Sequence, residues 1–393
     1  MTATPKVHVS TKTDALYLAF ELGENDWKLA FTIGVGQKPR LRSMPARDLP
    51  RLQAEITKAK ERFHVPADVA VRSCYEAGRD GFWLHRYLST CRVDNQVVDS
   101  ASIEVNRRQR RTKTDRLDAG KLLTLLVRYH GGERKVWSVV RVPCPAAEDA
   151  RQLHRELEAL KDERTQHVNR IKGLLACQGV AAVEVDQHFG DWLGKVRLWD
   201  DSALPQELQQ RLRREWDRWQ LLERHIKELE DQRRRRIRQD QLPHVDQVRR
   251  LLGLWGIGLN GAWLLVHELF AWRQFNNRKE VGSCVGLTPT PYQSGDSRRE
   301  QGISKAGNRR LRRLLVELAW CWLRWQPDTE LSRWYHRRFG TGHGRSRKVG
   351  IVALARKLLI ALWRYLEQGE LPAGARLASW QKKVKGCAKV AVA

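Results

Sequence analysis

A serine surrounded by cationic side chains is the first group in this chain that could carry chemistry. Ser294 lies in a Ser-Gly turn, and the residues after it, up to 313, are rich in arginine. A hydroxyl in such a field suits attack on a phosphodiester, because guanidinium groups bind the scissile phosphate and stabilise its developing charge. A solvated turn ahead of a basic nucleic-acid-binding helix explains the same residues, and from spacing alone it is the more common arrangement. Ser297 and Ser304 are nearby hydroxyls, and Ser304 suits a cap on the following helix.

Acidic residues form a second group with chemical potential. Asp115 and Asp118 are three residues apart and would face the same way on a helix, while Glu21 and Glu76 each close a predicted strand. Carboxylates that converge from strands and a helix can hold Mg²⁺ for phosphodiester chemistry. Simpler explanations stay open: Asp115 can cap a helix that has Asp118 at its third position, and a lone acid such as Glu76 is more often a surface residue.

The charge of the chain points to a polyanionic partner. The formal net charge is +27 and the pI is near 10.3, which favours nucleic acid. A membrane surface is the rival, but no segment approaches the roughly 18 apolar residues of a spanning helix, and the N-terminus lacks an apolar signal core, so a cytoplasmic protein is expected. Seven dispersed cysteines without a CxxC pair argue against a disulfide framework or a zinc site. The residues expected to contact nucleic acid are Arg107, Arg108, Arg110, Arg111, Lys113, Gly256, Gly258, Arg298, Arg299, Lys305, Arg309 and Arg310.

The elements that must position these groups fall into three predicted domains. Residues 1–145 are expected to form an α/β domain with strands and helices at 15–21, 27–33, 65–75, 82–88, 96–98 and from 115 onward. Residues 146–241 carry apolar side chains at three- and four-residue steps, which predicts two long amphipathic helices that fold back on each other or pair between subunits. Residues 242–393 are expected to be helical and basic.

Three features of the helical part carry further expectations. The turn at 256–258 joins two helices as in a helix-hairpin-helix, whose turn amides can hold a DNA phosphate, although an ordinary tight αα-hairpin fits equally well. The four arginines at 233–236 are expected to be solvated or to contact phosphate. The lysine-rich stretch after Gly369 lacks periodicity and is expected to be loosely held.

Taken in order along the chain, these motifs resemble those of the insertion-sequence transposases of the IS110 and IS1111 group. The resemblance is carried by AFELGENDWKLAF around Glu21, CYEAGRDG around Glu76, KTDRLDAGKL around Asp115 and Asp118, and then by GLWGIGLNGAWLLVHEL and GLTPTPYQSGDSRREQGISKAGNRRLR. It implies an α/β plus all-α fold. A RuvC-like (ribonuclease-H-like) N-terminal domain would be followed by a coiled-coil helical insertion and a mainly helical transposase domain with a helix-hairpin-helix-like element.

The resemblance also implies an activity, that of a DNA recombinase guided by a structured bridge RNA that pairs with donor and target DNA. The protein would act as a homo-oligomer, a dimer or tetramer, with Ser294 as nucleophile and with Glu21, Glu76, Asp115 and Asp118 as Mg²⁺ ligands. Members of the group have aspartate where this chain has Glu21, and often glycine where it has Asp296. Two other readings remain: a RuvC-like metal-dependent nuclease or junction resolvase without a covalent serine intermediate, and a non-catalytic RNA- or DNA-binding protein.

Overall fold

The protein divides into two units, residues 1–143 and 144–393. The computed structural model describes residues 15–79, 81–104, 115–181, 183–240, 242–294 and 297–386, with the side chains at 101, 115–118, 243, 291–294 and 297–301 excepted. The fold is mixed: a sheet with helices in the first unit and a mainly helical second unit. No helix in these ranges is both long and apolar enough to cross a lipid bilayer.

A mixed five-stranded sheet lies at the centre of the first unit. Its strands, in the spatial order β3-β2-β1-β4-β5, are β1 (Ala15–Leu22), β2 (Asp26–Thr32), β3 (Arg40–Pro45), β4 (Ala70–Glu76) and β5 (Asp94–Val98). β1, β2 and β3 are antiparallel neighbours, whereas β1, β4 and β5 run parallel. The predicted first hairpin is confirmed. The predicted strand over 65–75 begins only at Ala70, because Pro66 opens a turn in which Val69 N donates to its oxygen at 3.1 Å.

Helices cover both faces of this sheet. They are α1 (Leu49–Arg62), α2 (Trp83–Thr90) and α3 (Asp115–His130). Because side chains alternate along a strand, Phe20 and Tyr75 pack into the core with α1 and α2, whereas Ala19 packs on the opposite face with α3. Glu21 and Glu76, one residue beyond Phe20 and Tyr75, therefore lie on the α3 face.

The second unit contains helices and one two-stranded hairpin. Its elements are α4 (Pro145–Asp149), α5 (Gln152–Ala176), α6 (Phe189–Lys195), α7 (Gln206–Gln239), α8 (Pro243–Leu252), α9 (Leu259–Leu265), α10 (Arg278–Cys284), β6 (Pro289–Ser294), β7 (Ser297–Ile303), α11 (Arg309–Trp325), α12 (Glu330–Phe339), α13 (Arg345–Gln368) and α14 (Trp380–Gly386). A π-helical turn, Val266–Phe270, continues α9. Its main core is built around α8, α9, α11 and α13.

The two long helices α5 and α7 pack side by side within one chain and run antiparallel. Lys161 pairs with Glu230 at 2.6 Å, and farther along α5 Arg164 pairs with Glu223 at 2.9 Å. The partner number falls as the α5 number rises, which establishes the antiparallel direction. The predicted folding back of these two helices is confirmed.

Two expectations about the helical part are wrong. Arg233 is only 3% exposed rather than solvated, because it shares the inward face of α7 with the buried residues Ile226 and Ile237. The stretch after Gly369 is not loose up to residue 386. Leu377 forms a β-bridge with Leu254, and Val384 on α14 is buried, so an apolar side chain anchors the lysine-rich end.

Candidate active site

The ends of two neighbouring parallel strands bring two predicted ligands together. Phe20 in β1 is the register partner of Tyr75 in β4, so Glu21 and Glu76 follow on adjacent strands at the same edge of the sheet. Adjacent strands are about 4.8 Å apart, which is within the reach of two glutamates toward one ion. Both line a cleft of about 480 Å³, together with backbone from Gly23 and Gly78. Glu76 is exposed and Glu21 is half-buried.

The helix that carries the two predicted aspartates begins over this same edge. At the far end of α3, His130 lies 5.9 Å, ring to ring, from Tyr17 near the start of β1. Ala119, near the beginning of α3, is buried in the same cluster as Ala19 of β1, and it lines a pocket with Lys28, which is the register partner of Glu21. The helix therefore runs antiparallel to β1, and its first turn lies toward the end of the sheet where Glu21 is found.

The donor set at this edge suits a hard divalent cation. Oxygen ligands from carboxylates are what Mg²⁺ binds, and Glu21 and Glu76 supply them from two strands. Asp115 and Asp118 contribute the first turn of α3 to the same edge, while their side chains lie outside the described part of the structure. Among the side chains that are described, no three His, Cys, Asp or Glu groups are clustered as a metal site, and Asp115 and Asp118 lie outside that set.

The predicted nucleophile terminates the first strand of the hairpin in the second unit. Ser294 is the last residue of β6, and its register partner is Ser297, the first residue of β7. Ser294 thus ends the strand next to the connection from β6 to β7. Residues 295–296, Asp296 among them, and the side chains of Ser294, Arg298 and Arg299 lie outside the described part of the structure, as do Arg107, Arg108, Arg110, Arg111 and Lys113.

Two glycines bring the base of this hairpin close to the preceding and following segments. Gly286 has φ +67°, and a Cβ there would overlap the carbonyl oxygen of Ala306. Gly307 has φ +84°, and a Cβ there would overlap the carbonyl oxygen of Cys284. Left-handed backbone at such close approach requires glycine, which explains the GLTP and GNRR segments on either side of the serine.

The helix after the hairpin is capped by an asparagine rather than by the serine that the sequence favoured. The Asn308 side-chain oxygen accepts from Arg310 N at 3.0 Å and Leu311 N at 3.2 Å. Ser304 instead lies within hydrogen-bond distance of Thr288 at 3.4 Å, across the base of the hairpin. The beginning of α11 is therefore fixed directly to the end of the serine motif.

A buried carboxylate that sequence reasoning missed holds this helix start in place. Glu268, 2% exposed, lies in the π-helical turn. It accepts from Arg155 Nε at 2.8 Å, from His154 Nε2 at 2.9 Å and from the Asn308 side-chain nitrogen at 3.3 Å. Burial alone would raise the pKa of Glu268, but the hydrogen bonds and charges of its partners hold it far below the ordinary range. The Glu268 network, as we term it, ties α5, the π-helical turn and α11 together.

The predicted phosphate-binding residues near the serine differ in what surrounds them. Arg310 is paired with Glu158 on α5 and lies 3.5 Å from Glu268, so its guanidinium group is already engaged. Lys305 and Arg309 are exposed. Of this set the structure leaves Lys305 and Arg309 open to solvent, and it uses Arg310 to join α11 to α5.

The predicted helix-hairpin-helix turn packs against the end of α11 and is hydrogen-bonded by a lysine of α14. Gly256 has φ +82°, and a Cβ there would lie 3.2 Å from the carbonyl oxygen of Cys321. Lys383 donates to the carbonyl oxygens of Leu254 at 2.6 Å and Ile257 at 3.1 Å, and burial lowers the pKa of Lys383 to about 8. Gly258 is exposed, so it is the turn glycine that faces solvent.

Comparison with known proteins assigns the class. Residues 248–333, which run from the middle of α8 to the first part of α12 and include Ser294, match the model of the family described as "Transposase IS116/IS110/IS902 family". "Putative transposase y4rJ" of Sinorhizobium fredii is 39% identical over 373 residues, covering 92% of this chain and 94% of the relative. "Transposase for insertion sequence element IS1328" of Yersinia enterocolitica is 28% identical over 223 residues, covering 55% of this chain and 62% of the relative.

The protein is thus a transposase. More narrowly, the chain belongs to the IS116/IS110/IS902 family, because its similarity to y4rJ extends over nearly the full length of both proteins.

Proposed function

We propose that this transposase cuts and rejoins DNA strands with Ser294 as the nucleophile and with Mg²⁺ held by Glu21, Glu76, Asp115 and Asp118. The observation that carries the proposal is the placement of Glu21 and Glu76 side by side at the edge where α3 begins. The position of Ser294 at the end of β6, opposite Ser297, supports its role, since an attacking hydroxyl must reach a DNA backbone. The mixed sheet with acids on two strands and a helix supports a RuvC-like first unit.

In the proposed reaction, the Ser294 hydroxyl loses its proton as its oxygen bonds to phosphorus. The bond from phosphorus to one DNA oxygen breaks, and that oxygen leaves as a hydroxyl after taking up a proton. The phosphodiester is conserved as a serine–DNA ester, so a hydroxyl of another strand can reverse the step and rejoin the DNA. Bound Mg²⁺ would stabilise negative charge on the reacting phosphate. The glutamates would hold the ion, and Arg298 and Arg299 would bind non-bridging phosphate oxygens.

We further propose that a structured guide (bridge) RNA selects the donor and target DNA and that the protein acts as a homo-oligomer. The +27 charge supports binding of more than one polyanion. The antiparallel α5–α7 pair presents a long surface that suits contact between subunits in a coiled coil. Base pairing would supply sequence choice, and the cationic surfaces would supply affinity.

The test is a covalent adduct on a denaturing gel. Protein, RNA transcribed from the DNA flanking the gene, paired DNA substrates and Mg²⁺ are incubated together and denatured. A slow-migrating protein–DNA band is expected, absent in Ser294→Ala and without Mg²⁺. Ser297→Ala is the matched control, because Ser297 faces Ser294 across the hairpin end.

Other outcomes would contradict the proposal in different ways. Metal-dependent cleavage without an adduct would indicate a RuvC-like nuclease in which Ser294 only binds phosphate. RNA binding without any cleavage would indicate a non-catalytic relative, and Glu76→Gln would then change nothing. An adduct formed equally by Ser294→Ala would place the nucleophile elsewhere.

A further inference from the structure

A second concentration of positive charge lies where α12 meets α13, beyond residues 248–333 that match the family model. From Leu331 to Leu366 the sequence contains no aspartate or glutamate. Exposed cations occupy the last turn of α12 and the first turn of α13. We term them the corner patch, which consists of Arg337, Arg338, Arg345, Arg347 and Lys348.

A close helix contact holds the two halves of the corner patch together. Gly350 lies in the second turn of α13, and a Cβ there would be 2.6 Å from the ring of Phe339 and 2.9 Å from the ring of Tyr335. The absence of a side chain lets the end of α12 pack directly on the beginning of α13. Tyr335 and Gly350 are buried at this contact, so the packing fixes the cations on the outer surface of a single rigid corner.

No acid compensates this charge in the described part of the chain. The corner-patch residues form no ion pair with the described carboxylates, in contrast to Arg155 and Arg310, which are held by Glu268. Arg345 and Lys348 are three residues apart on α13, a spacing at which like charges repel. The positive end of the helix dipole of α13 adds to this repulsion. The isolated fold therefore gains no stability from these cations, and an anionic partner would relieve the repulsion.

We propose that the corner patch binds the phosphate backbone of duplex DNA. Guanidinium groups on a rigid surface match phosphate oxygens and read no sequence. Trp334 and Phe339 on α12 pack on each other, with ring centroids 5.8 Å apart, and Lys357 lies 4.5 Å from the Trp334 ring centroid. Because these two rings are engaged within the fold, the five cations of the patch suit backbone contacts more than the base stacking that single strands and RNA loops require. This inference rests on family membership, which implies a DNA substrate, and is independent of the chemistry proposed for Ser294.

The experiment compares two triple variants of the full-length protein that remove equal charge. Arg345→Gln/Arg347→Gln/Lys348→Gln neutralises one half of the patch. Its matched control neutralises three exposed arginines on α7, Arg211, Arg213 and Arg214. Binding to a fluorescent 30-base-pair DNA of arbitrary sequence is measured by anisotropy from about 50 to 200 mM salt, with thermal unfolding to verify that both variants remain folded.

The patch variant is expected to bind about 10- to 100-fold more weakly, with the slope of log K against log salt reduced by about 2 to 3, because each lost phosphate contact removes about 0.9 from the slope. The control is expected to change affinity by less than about threefold. Equal losses in both triples would overturn the proposal, since only net charge would then matter. A loss for single-stranded RNA with duplex DNA binding retained would also overturn it and would assign the patch to RNA.

Discussion

Removing the charge of Glu268 should destabilise the second unit far more than removing a surface carboxylate. The substitution Glu268→Gln keeps the shape of the side chain but presents one amide oxygen to the donors that now share a carboxylate. Arg155 Nε at 2.8 Å and Nη2 at 3.1 Å make a two-point contact with it, and His154 donates at 2.9 Å. An amide nitrogen would face one of these donors directly. Breaking a buried charge pair from one side costs about 3 to 5 kcal/mol, and we expect this range for Glu268→Gln.

The assay is urea denaturation followed by tryptophan fluorescence. Only Trp27, Trp83 and Trp137 of the sixteen tryptophans belong to the first unit, so the signal reports mainly the unit that contains Glu268. The matched control is Glu317→Gln. Glu317 pairs with Arg313 at 3.1 Å on the surface of α11 and is more than half exposed. Such a pair contributes less than about 1 kcal/mol.

A double-mutant cycle with Arg155→Met separates the charge pair from general damage. Coupling of at least about 1 kcal/mol between Arg155 and Glu268 is expected for groups in direct contact. A free-energy loss for Glu268→Gln no larger than that for Glu317→Gln would refute the reasoning, because the network would then contribute nothing beyond a surface pair. If the two losses of unfolding free energy were simply additive, Arg155 and Glu268 would not stabilise each other.

Three further predictions concern the same unit. Burial lowers the pKa of His267 to about 3, so the unfolded chain binds its proton first as the pH falls below about 6.5. Stability from neutral His267 is therefore present above pH 6.5 and lost below it, and His267→Phe should reduce the drop in unfolding free energy between pH 7 and pH 5 by about 2 kcal/mol in urea titrations at each pH. Gly256→Ala should lower the thermal midpoint of unfolding, because it costs about 1 to 3 kcal/mol of stability. Gly258→Ala should change the midpoint little, because its Cβ would meet no atom within 4 Å. Equal shifts for the two variants would contradict the packing argument. Glu215→Gln should destabilise the packing of α5 on α7, because the hydrogen bonds from His167 and Arg170 lower the pKa of Glu215 in spite of its burial. A thermal midpoint of the parent protein that is the same at pH 7 and pH 4 would argue against a stabilising contact of Glu215 with His167 and Arg170.

The sequence predicts the parts of the candidate site that depend on nearby residues, such as the alternation of side chains along a strand and the glycines of a turn. Strand alternation and the position of Gly23 and Gly78 after the strands place Glu21 and Glu76 at strand ends, and the Ser-Gly turn places Ser294 at a hairpin tip. β3 escapes prediction because its residues, RLRSMP, lack an apolar alternation. β3 is one of the two edge strands of the sheet and is hydrogen-bonded to β2.

Features that depend on distant partners could not be predicted. Glu268 lies in an apolar helical run, where a lone acid signals a buried partner but not its identity. Arg155 is 113 residues away, on a helix whose own pattern predicts only pairing with α7. The prediction that Arg233 is solvated is wrong for a similar reason: four successive arginines give no indication of which one lies on the buried face of α7. The segment that ends at residue 386 is held by the burial of Val384 and by the hydrogen bond from Lys383 to the carbonyl oxygen of Leu254. Leu254 is far away in the sequence, so the local pattern of residues around Val384 does not reveal this contact.

The long sequence interval closed by the Glu268 network has a consequence for synthesis on the ribosome. Arg155 emerges 113 residues before Glu268. At about 5 to 20 residues per second, this delay amounts to roughly 6 to 23 seconds of translation. Throughout that interval His154 and Arg155 lack the buried carboxylate that they contact in the folded unit, in the vicinity of messenger and ribosomal RNA. The late arrival of Glu268 completes this network and joins α5 to the helices that are synthesised after it.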